Sequence, residues 1–319
     1  MSNTMNPLKI ATVIVSYNRE ELLEQCLKAH ENQTRLSDYV IVVDNNSTDN
    51  SLEVAKASSI VNQVVSLKEN TGGAGGFAAG IAKAICDFSP NYVWIMDDDS
   101  VPEENALEEL LVALEKYDGS PAVLASEAVW HDGTVHPMNK PRPRPFLNRN
   151  SVRKAQSIGC IPIRTASFVS ILIDSRAILE EGLPIADYFI WNDDFEYTGR
   201  ILANRVGLYV PASRVKHLTK ELAGSDKDPG QRFYYEVRNK MWTFMHSKAF
   251  VGFERIVYVL ATCRRWIRTY KNSDNKSVLK ECFLRGLKDG LHFYTPTRKV
   301  FENTEVAEQV GLVELPLGR

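Results

Sequence analysis

Three consecutive aspartates at residues 97–99 follow directly after an apolar run, and they most constrain what this chain can fold into. The run at residues 93–96 predicts a buried strand. We expect a helix to open at Ser100, capped by Asp99 or Ser100, with Pro102 in its first turn. Adjacent carboxylates repel one another and are costly to bury unpaired. At a strand end, where open α/β sheets bind ligands, they predict a site for Mg²⁺ or Mn²⁺. The alternative is a solvated acidic turn that caps the helix.

Strand-like apolar runs alternate with helical patterns along the first part of the chain. This alternation predicts an α/β fold whose mostly parallel sheet is covered by helices on both faces, with polar strand ends gathered at one edge. The predicted strands are at residues 9–16, 39–43, 64–67, 93–96, 122–129, 165–173 and 207–210. The predicted helices are at residues 20–32, 51–58, 176–181 and 192 to about 204, with one more that ends at residue 88.

Two segments lack regular patterning, and each has two interpretations. The glycine run NTGGAGGF at residues 70–77 has neither GxGxxG nor Walker spacing. It is either a loop whose small residues let the following helix pack closely or a backbone surface for a phosphate or sugar. The segment PMNKPRPRP at residues 137–145 is expected to have no regular structure. It is either a surface excursion or a basic lid over an anionic ligand.

A second acidic cluster, WNDDFEY at residues 191–197, lies among aromatic residues. Capping by Asn192 or Asp193, with surface ion pairs among Asp193, Glu196 and Arg200, is one interpretation. The aromatic surroundings indicate instead a half-buried cleft wall, where burial raises a carboxyl pKa towards that of a general base. His217 follows the next strand. A lone histidine is more often structural, and a nearby metal site would reverse that expectation.

The C-terminal part of the chain is basic although the whole chain has a net charge of −2. Residues 231–300 contain fifteen Lys/Arg against five Asp/Glu, within predicted helices at 231–248, 250–270 and 277–293. These aromatic-rich helices either pack on the sheet or lie on an anionic lipid surface. The overall charge does not indicate a nucleic-acid partner. Five scattered cysteines, no apolar signal core and no run of about 18–20 apolar residues together predict a cytoplasmic protein.

The motifs TVIVSYNR, VIVVDNNSTD and WIMDDDS, in that order, resemble the family 2 glycosyltransferases of GT-A fold over about residues 10–114. NTGGAGGF, DDD, WNDDFEY and His217 resemble the galactofuranosyltransferase branch and its relatives. The resemblance implies a Rossmann-like GT-A domain at 1–225 and a helical C-terminal region at 226–319. Within the domain it implies a nucleotide-sugar half at about 9–115 and an acceptor half at about 116–225.

The resemblance also implies roles for individual residues. The base that deprotonates the acceptor would be Asp194. The ligands of Mn²⁺ or Mg²⁺ would be Asp97, Asp99 and His217. The donor contacts would be Asp44 on the nucleotide base, Arg19 on the diphosphate, Asp98 near the ribose or sugar, and Thr12 and Gly73. The acceptor contacts would be Trp191, Asp193 and Glu196.

The function implied by the resemblance is a metal-dependent, inverting sugar transfer from a UDP-sugar. The first donor that it suggests is UDP-galactofuranose. The acceptor would be a glycan or lipid-linked glycan of a bacterial surface polysaccharide such as an O-antigen, at the cytoplasmic membrane face. Without large extra domains, the chain is expected to add one or a few sugars.

Three alternatives stay open: a dTDP-rhamnose-dependent transferase, a nucleotidyltransferase and a non-catalytic glycan-binding protein. The segment SYNREE, which follows the first predicted strand, lacks the glycines of the loop that nucleotidyltransferases usually have there. A glycan-binding protein without catalytic activity would not need a set of metal ligands and a base. Whether the protein forms a homo-oligomer is also open.

Overall fold

The first four strands of the structure are parallel and adjacent. In this computed structural model, which describes residues 8–145, 147–219, 222 and 228–314, β1 lies between β2 and β4, and β3 is at the edge. The strands are β1 (Ile10–Ser16), β2 (Tyr39–Asp44), β3 (Gln63–Ser66) and β4 (Tyr92–Asp97), and the helices between them are α1 (Glu20–Glu31), α2 (Ser51–Ala57) and α3 (Gly72–Phe88). The register aligns Ser16 with Asp44, and Val15 with Asp97, so the carboxyl ends of these strands meet at one edge.

The second half of the sheet mixes strand directions. Its strands are β5 (Ser100–Pro102), β6 (Val123–Val129), β7 (Arg142–Pro143), β8 (Ile161–Thr165), β9 (Ile171–Asp174) and β10 (Gly207–His217). Its helices are α4 (Ala106–Lys116), α5 (Arg149–Gln156), α6 (Ser175–Glu181) and α7 (Asp193–Ile201). The order across the sheet is β3-β2-β1-β4-β9-β6-β10-β8-β7, with β5 on β10. Because β9 is antiparallel to both β4 and β6, the sheet as a whole is mixed.

Both faces of the parallel strands are buried. Val13 and Ile41 pack with Phe77 of α3 on one face, and Ile14 packs with Leu23 and Leu107 of α1 and α4 on the other. Parallel strands covered on both sides require apolar residues in succession, which is the pattern that predicted them.

The predicted helix start at Ser100 is wrong. Ser100 pairs antiparallel with His217 in β5 and β10, and α4 begins only at Ala106, after Asn105 in the N-cap position. Pro102 accordingly lies in a short strand and not in a first helical turn. The reason is a non-local backbone partner, since β10 extends far enough to pair with a segment whose local signals favour a helix start.

Other predicted boundaries also differ, and the strand predicted at 207–210 extends to His217 in β10. The strand expected at 165–173 is two strands, because β8 ends at Thr165 beside β10, whereas β9 begins at Ile171 between β4 and β6. The proline-rich segment is not irregular: it contains a 3-10 turn at Pro137–Asn139 and the edge strand β7, where proline is tolerated. The helix after the second acidic cluster ends at Ile201, before residue 204.

The glycine run forms the first turns of α3 and not a loop that precedes it. A Cβ on Gly80 would lie 2.3 Å from Val13 Cγ1 and 2.8 Å from Val43 Cγ2, and a Cβ on Gly76 would lie 2.5 Å from Val15 Cγ1. These glycines therefore let α3 pack directly on β1 and β2. This agrees with the close-packing interpretation for Gly76, and Gly80, about one turn beyond the run, packs in the same way.

The C-terminal part is helical, as predicted. Its helices are α8 (Phe233–His246), α9 (Gly252–Asn272), α10 (Lys276–Gly290), α11 (Thr297–Val300) and α12 (Ala307–Val313). Val237 of α8 and Leu279 of α10 share one apolar cluster, whereas Phe301 and Val310 join the core beside α3. The domain boundary predicted at 225/226 lies outside the described residues, so this division stays a prediction. Within the described ranges, no helix combines the length and apolarity needed to cross a bilayer.

Gly80→Ala should lower the free energy of unfolding by about 1–3 kcal/mol, because an added methyl overpacks the contact with Val13 and Val43. The matched control is Gly311→Ala in α12, where an added Cβ meets nothing within 4 Å. There the gain in helix propensity should raise the free energy of unfolding by up to about 1 kcal/mol. Equilibrium unfolding in urea measures both values. Equal effects of the two substitutions would contradict the packing role of Gly80.

Candidate active site

A cleft of about 600 Å³ opens at the carboxyl edge of the parallel strands. Side chains from the ends of β1, β2, β4 and β10 line it, together with the start of α3 and the segment before α7. They include Arg19, Asn45, Gly73, Asp97, Asp98, Asp99, Asp193 and His217. A neighbouring cavity of about 300 Å³ is lined by residues such as Arg142, Phe233, Arg265 and Trp266. Trp191 and Asp194 line both cavities and therefore lie at their junction.

Arg19 holds two carboxylates of the triplet together. Its Nη1 lies 3.1 Å from Asp98 Oδ1 and 2.5 Å from Asp99 Oδ2. Asp98 also accepts hydrogen bonds from the Ser16 hydroxyl (3.0 Å) and the Tyr17 amide (3.1 Å). The loop after β1 therefore neutralises part of the negative charge at the end of β4. Arg19 lines the cleft, although these contacts already engage its guanidinium, and its contact with a diphosphate stays a prediction.

Burial and mutual repulsion act on the three carboxyl groups in different ways. Burial, with the charges of Asp99 and Asp98, raises the pKa of Asp97 well above its usual value. Burial raises the pKa of Asp98 to about 6, although Arg19 opposes the shift. Burial also acts on Asp99, but hydrogen bonding and charge from His217 and Arg19 outweigh it and lower the pKa of Asp99. The cluster therefore favours any added positive charge.

His217 and Asp99 form an incompletely satisfied pair. His217 Nε2 lies 3.3 Å from Asp99 Oδ1, and His217 Nδ1 lies 2.9 Å from Asn139 Oδ1. The amide oxygen accepts, so Nδ1 carries a proton, and Nε2 faces the carboxylate either as a lone pair or, with a second proton, as a donor. Asp99 Oδ1 is buried and has no hydrogen-bond partner among the described residues. A proton or a cation between the two groups would satisfy both.

The predicted metal triad is only partly assembled. Asp99 and His217 are in contact, and Asp97 lines the same cleft. Within the described part of the chain, however, no three carboxylate, imidazole or thiol groups are arranged to hold an ion as they stand. Asn139, which orients the histidine ring, was not predicted. It lies in the proline-rich segment that we expected to be irregular.

Asn45 joins the end of β2 to the glycine run. Its Nδ2 donates to the Gly72 carbonyl (2.9 Å), and its Oδ1 accepts from the Thr71 amide (2.9 Å). Gly72 has a φ of +69°, and a Cβ there would lie 2.0 Å from the Phe189 carbonyl oxygen. Only glycine fits this close approach. The next residue, Gly73, lines the cleft, and its contact with a donor stays a prediction.

The backbone before α7 is strained and held from α8. Phe189, Trp191 and Asn192 have φ values of 63°, 66° and 65°, which are unfavourable for Phe189 and Trp191, whereas asparagine tolerates this region more readily. The fully buried side chain of Asn239 donates to the carbonyls of Tyr188 (2.9 Å), Ile190 (2.9 Å) and Trp191 (2.7 Å). Asn239 thereby fixes the segment that carries Trp191. An asparagine inside a helical pattern had given no sign of this role.

Asp193 and Asp194 open α7 as two half-buried, adjacent carboxyl groups. Burial, followed by the charge of Asp194, raises the pKa of Asp193 to about 8. Burial also raises the pKa of Asp194, opposed by a hydrogen bond from the Phe195 amide (2.6 Å) and by the charges of Lys240 and Arg142. Asn192 does not cap the helix with its side chain, because its Nδ2 donates to Glu236 (2.8 Å). The expected cleft wall is therefore present.

Lys240, which we did not predict, is buried beside this pair. Its Nζ lies 3.1 Å from the centroid of the Phe195 ring, and burial lowers its pKa well below the usual lysine value. The charge of Lys240 stabilises the ionised form of Asp194. The lysine reaches the site from α8, which no local sequence signal connects with residues 193–194.

Three predicted site residues are not brought to the cleft wall. Thr12 lies inside β1, and its hydroxyl contacts Ser37 Oγ (2.6 Å). Asp44 is buried beneath the loop after β2 and accepts from the Ser47 amide (3.3 Å). Glu196 is buried and pairs with Arg200 Nε (2.8 Å), since its position along α7 points it inward. This ion pair is therefore not at the surface, contrary to the structural alternative.

Comparison with known proteins places these features in a family. A model described as Glycosyl transferase family 2 matches residues 12–172 of the 319-residue chain. Among curated proteins, the chain is 32% identical over 104 residues to the galactofuranosyltransferase GlfT1 of Mycolicibacterium smegmatis, which covers 33% of this chain and 34% of the relative. The chain thus spans about a third of the length of the galactofuranosyltransferases it matches.

Solved structures share the fold at low sequence identity. S. aureus TarS 1-349 in complex with UDP-GlcNAc superposes with a TM-score of 0.58 at 17% identity, over 93% of this chain and 84% of that one. GalNAc-T7 with UDP, GalNAc and Mn²⁺ has a TM-score of 0.58 at 16% identity, over 93% of this chain and 56% of that one. These likenesses confirm the predicted GT-A fold. Because the family model spans half of the chain, the protein belongs to glycosyl transferase family 2.

Proposed function

We propose that this glycosyltransferase transfers a sugar from a UDP-sugar to an acceptor hydroxyl with inversion at the anomeric carbon. The position of Asp194 carries the proposal, because this carboxyl lies where the acidic cleft meets the second cavity. A donor in the larger cleft and an acceptor in the smaller cavity would meet at Asp194. That arrangement suits an in-line displacement assisted by one base.

UDP-galactofuranose is the first donor to test. The GlfT1 relative is a galactofuranosyltransferase by name, and two structures that share the fold are described with UDP or a UDP-sugar. Arg19, Asp98 and Gly73 line the cleft where the donor would bind. A dTDP-rhamnose donor is the alternative within the class. We propose a glycan or lipid-linked glycan of a bacterial surface polysaccharide as the acceptor, used at the cytoplasmic membrane face.

Asp97, Asp99 and His217 would hold Mn²⁺ or Mg²⁺. The buried, unpartnered Oδ1 of Asp99 beside His217 Nε2 suits a cation, and Asn139 orients the imidazole as hydrogen-bond partners of metal-ligating histidines do. The GalNAc-T7 structure is described with Mn²⁺. When bound, the cation would offset the negative charge of the diphosphate leaving group.

Asp194 would act as the general base. Its carboxylate accepts the proton of the acceptor hydroxyl while the oxygen attacks the anomeric carbon and the bond to the diphosphate breaks. Partial burial strengthens the base by raising its pKa, and Lys240 and Arg142 keep the ionised form accessible. Trp191 offers an aromatic surface for the acceptor at the junction of the cavities, and Asp193 lies next to it in the cleft.

UDP should stabilise the protein against heat, and the shift should require Mn²⁺, because the cation and diphosphate bind together. At about 100 times its Kd, a ligand adds roughly 2.7 kcal/mol of stability. Thermal unfolding with UDP, dTDP, GDP and their sugars, with and without Mn²⁺, measures this. His217→Gln should abolish the effect of Mn²⁺, and His131→Gln, at an exposed loop residue, should retain it. A shift with dTDP alone would favour rhamnose, and no shift with any nucleotide would favour a glycan-binding protein.

Asp194→Asn should lower turnover by a factor of about 10²–10⁴, since the amide cannot accept the proton. Release of UDP in the presence of acceptor glycans measures turnover. Asp132→Asn, at a fully exposed position, is the matched control and should leave turnover unchanged. Near-normal turnover of Asp194→Asn would transfer the role of base to Asp193.

Turnover should rise with pH, because the base works only when it is deprotonated and burial raises its pKa above the ordinary aspartate value of 3.8. Asp193 and Asp194 interact, so the rising limb reports the pair and should extend towards the pKa of about 8 of Asp193. Lys240→Met removes the side chain whose protonated form stabilises ionised Asp194, and should move the limb to higher pH. Lys248→Met, an exposed control, should not. A limb that stays in place in Lys240→Met would contradict the tuning role.

A further inference from the structure

One face of α9 has large apolar side chains and no partner in the described protein. Phe253, Ile256, Val257, Leu260 and Ile267 follow helical spacing and are 69%, 55%, 42%, 64% and 58% exposed. Of the 21 residues of α9, only Thr262 is buried. Contiguous exposed apolar surface of this kind marks an interaction site in soluble proteins. We call these five residues the outer face of α9.

The opposite face of α9 is anchored, so the exposure does not reflect a helix detached from the protein. Glu254 pairs with Arg164 Nε (2.8 Å), and Trp266 Nε1 donates to Glu236 Oε1 (3.1 Å). The ring of Tyr258 packs against that of Phe250, with centroids 4.4 Å apart. α9 is therefore held in one orientation, with the outer face directed away from these contacts.

Positive charge accompanies the apolar surface. Residues 251–290 contain nine Lys/Arg against four Asp/Glu. Arg264 and Lys271 are exposed, and their helical positions place them on the same side as the outer face. An apolar stripe flanked by cations is the composition of helices that lie in the headgroup region of an anionic bilayer.

A second copy of this chain would fit the outer face less well. A two-fold contact brings the same surface of both subunits together, so the cations of one α9 would face the cations of the other. An anionic lipid surface accepts the apolar side chains and pairs with the cations at the same time. The chemistry of the face therefore selects lipid over self-association.

We infer that α9 is an interfacial helix that docks the protein on an anionic membrane through Phe253, Ile256, Val257, Leu260 and Ile267. The inner side of the helix contributes Arg265, Trp266 and Thr269 to the cavity beside Asp194. The outer face of α9 would thus lie on the membrane while the inner face lines the cavity, so that a membrane-borne acceptor is separated from the cavity by the width of one helix. This consequence for the acceptor rests on the proposed function, whereas membrane binding itself does not.

Vesicle sedimentation of the full chain tests the inference. The protein should bind vesicles of phosphatidylcholine and phosphatidylglycerol in equal amounts more tightly than vesicles of phosphatidylcholine alone, and high salt should weaken the binding. Phe253→Asp with Leu260→Asp should reduce the vesicle partition coefficient by at least about tenfold. Arg264→Ala with Lys271→Ala should reduce it by about fivefold for each cation removed.

Leu179→Asp and Leu312→Asp are matched controls, because these leucines are 50% and 71% exposed on α6 and α12. They should leave vesicle binding unchanged. Failure of the native chain to bind anionic vesicles, or equal loss in the control variants, would overturn the inference. So would a dimer that the outer-face variants dissociate without any effect on vesicle binding. A UDP-dependent thermal shift without vesicle binding would overturn only this inference, and vesicle binding without such a shift would count only against the proposed function.

Discussion

The repulsion among three adjacent carboxylates at the end of β4 is the constraint on which the rest of the cleft depends. Each compensating group comes from a different part of the sheet: Arg19 from the loop after β1 and His217 from the end of β10. Those groups can reach the carboxylates only because β1 pairs with β4 and β10 pairs with β5. The negative charge of the cleft is therefore balanced only when the strands are in this order, because the order brings Arg19 and His217 to the carboxylates.

The parallel half of the sheet was predictable because strands buried on both faces need continuous apolar runs, and residues 9–16 and 39–43 have them. Ser100 was predicted wrongly because its pairing with His217 is contributed by a distant segment. Local cap signals carry no information about that partner. The same limitation applies to Asn139 and Lys240, which join the site only after the chain has folded.

The candidate site shows a similar division. Residues placed directly at strand ends or at a helix start, such as Asp99 and Asp194, were predicted correctly as cleft residues. Thr12 and Glu196 have suitable chemistry, but strand position and helical spacing direct them elsewhere. A motif therefore identifies the segment that forms a site more reliably than the side chains that enter it. The periodicity of a strand or helix shows which of two neighbouring residues faces the cleft only when it is known which face of that element is buried.

The three carbonyls bound by Asn239 connect α8 to the backbone that presents Trp191. Since that backbone is strained, it keeps its conformation only while Asn239 holds it, so its shape depends on α8 as well as on the residues before α7. Recombination between related proteins would then be restricted at this point. The C-terminal helical region of another family member could replace this one only if it supplied a side-chain amide at the position of Asn239. The shape of this segment would change through substitutions within the helices more readily than through exchange of the whole region.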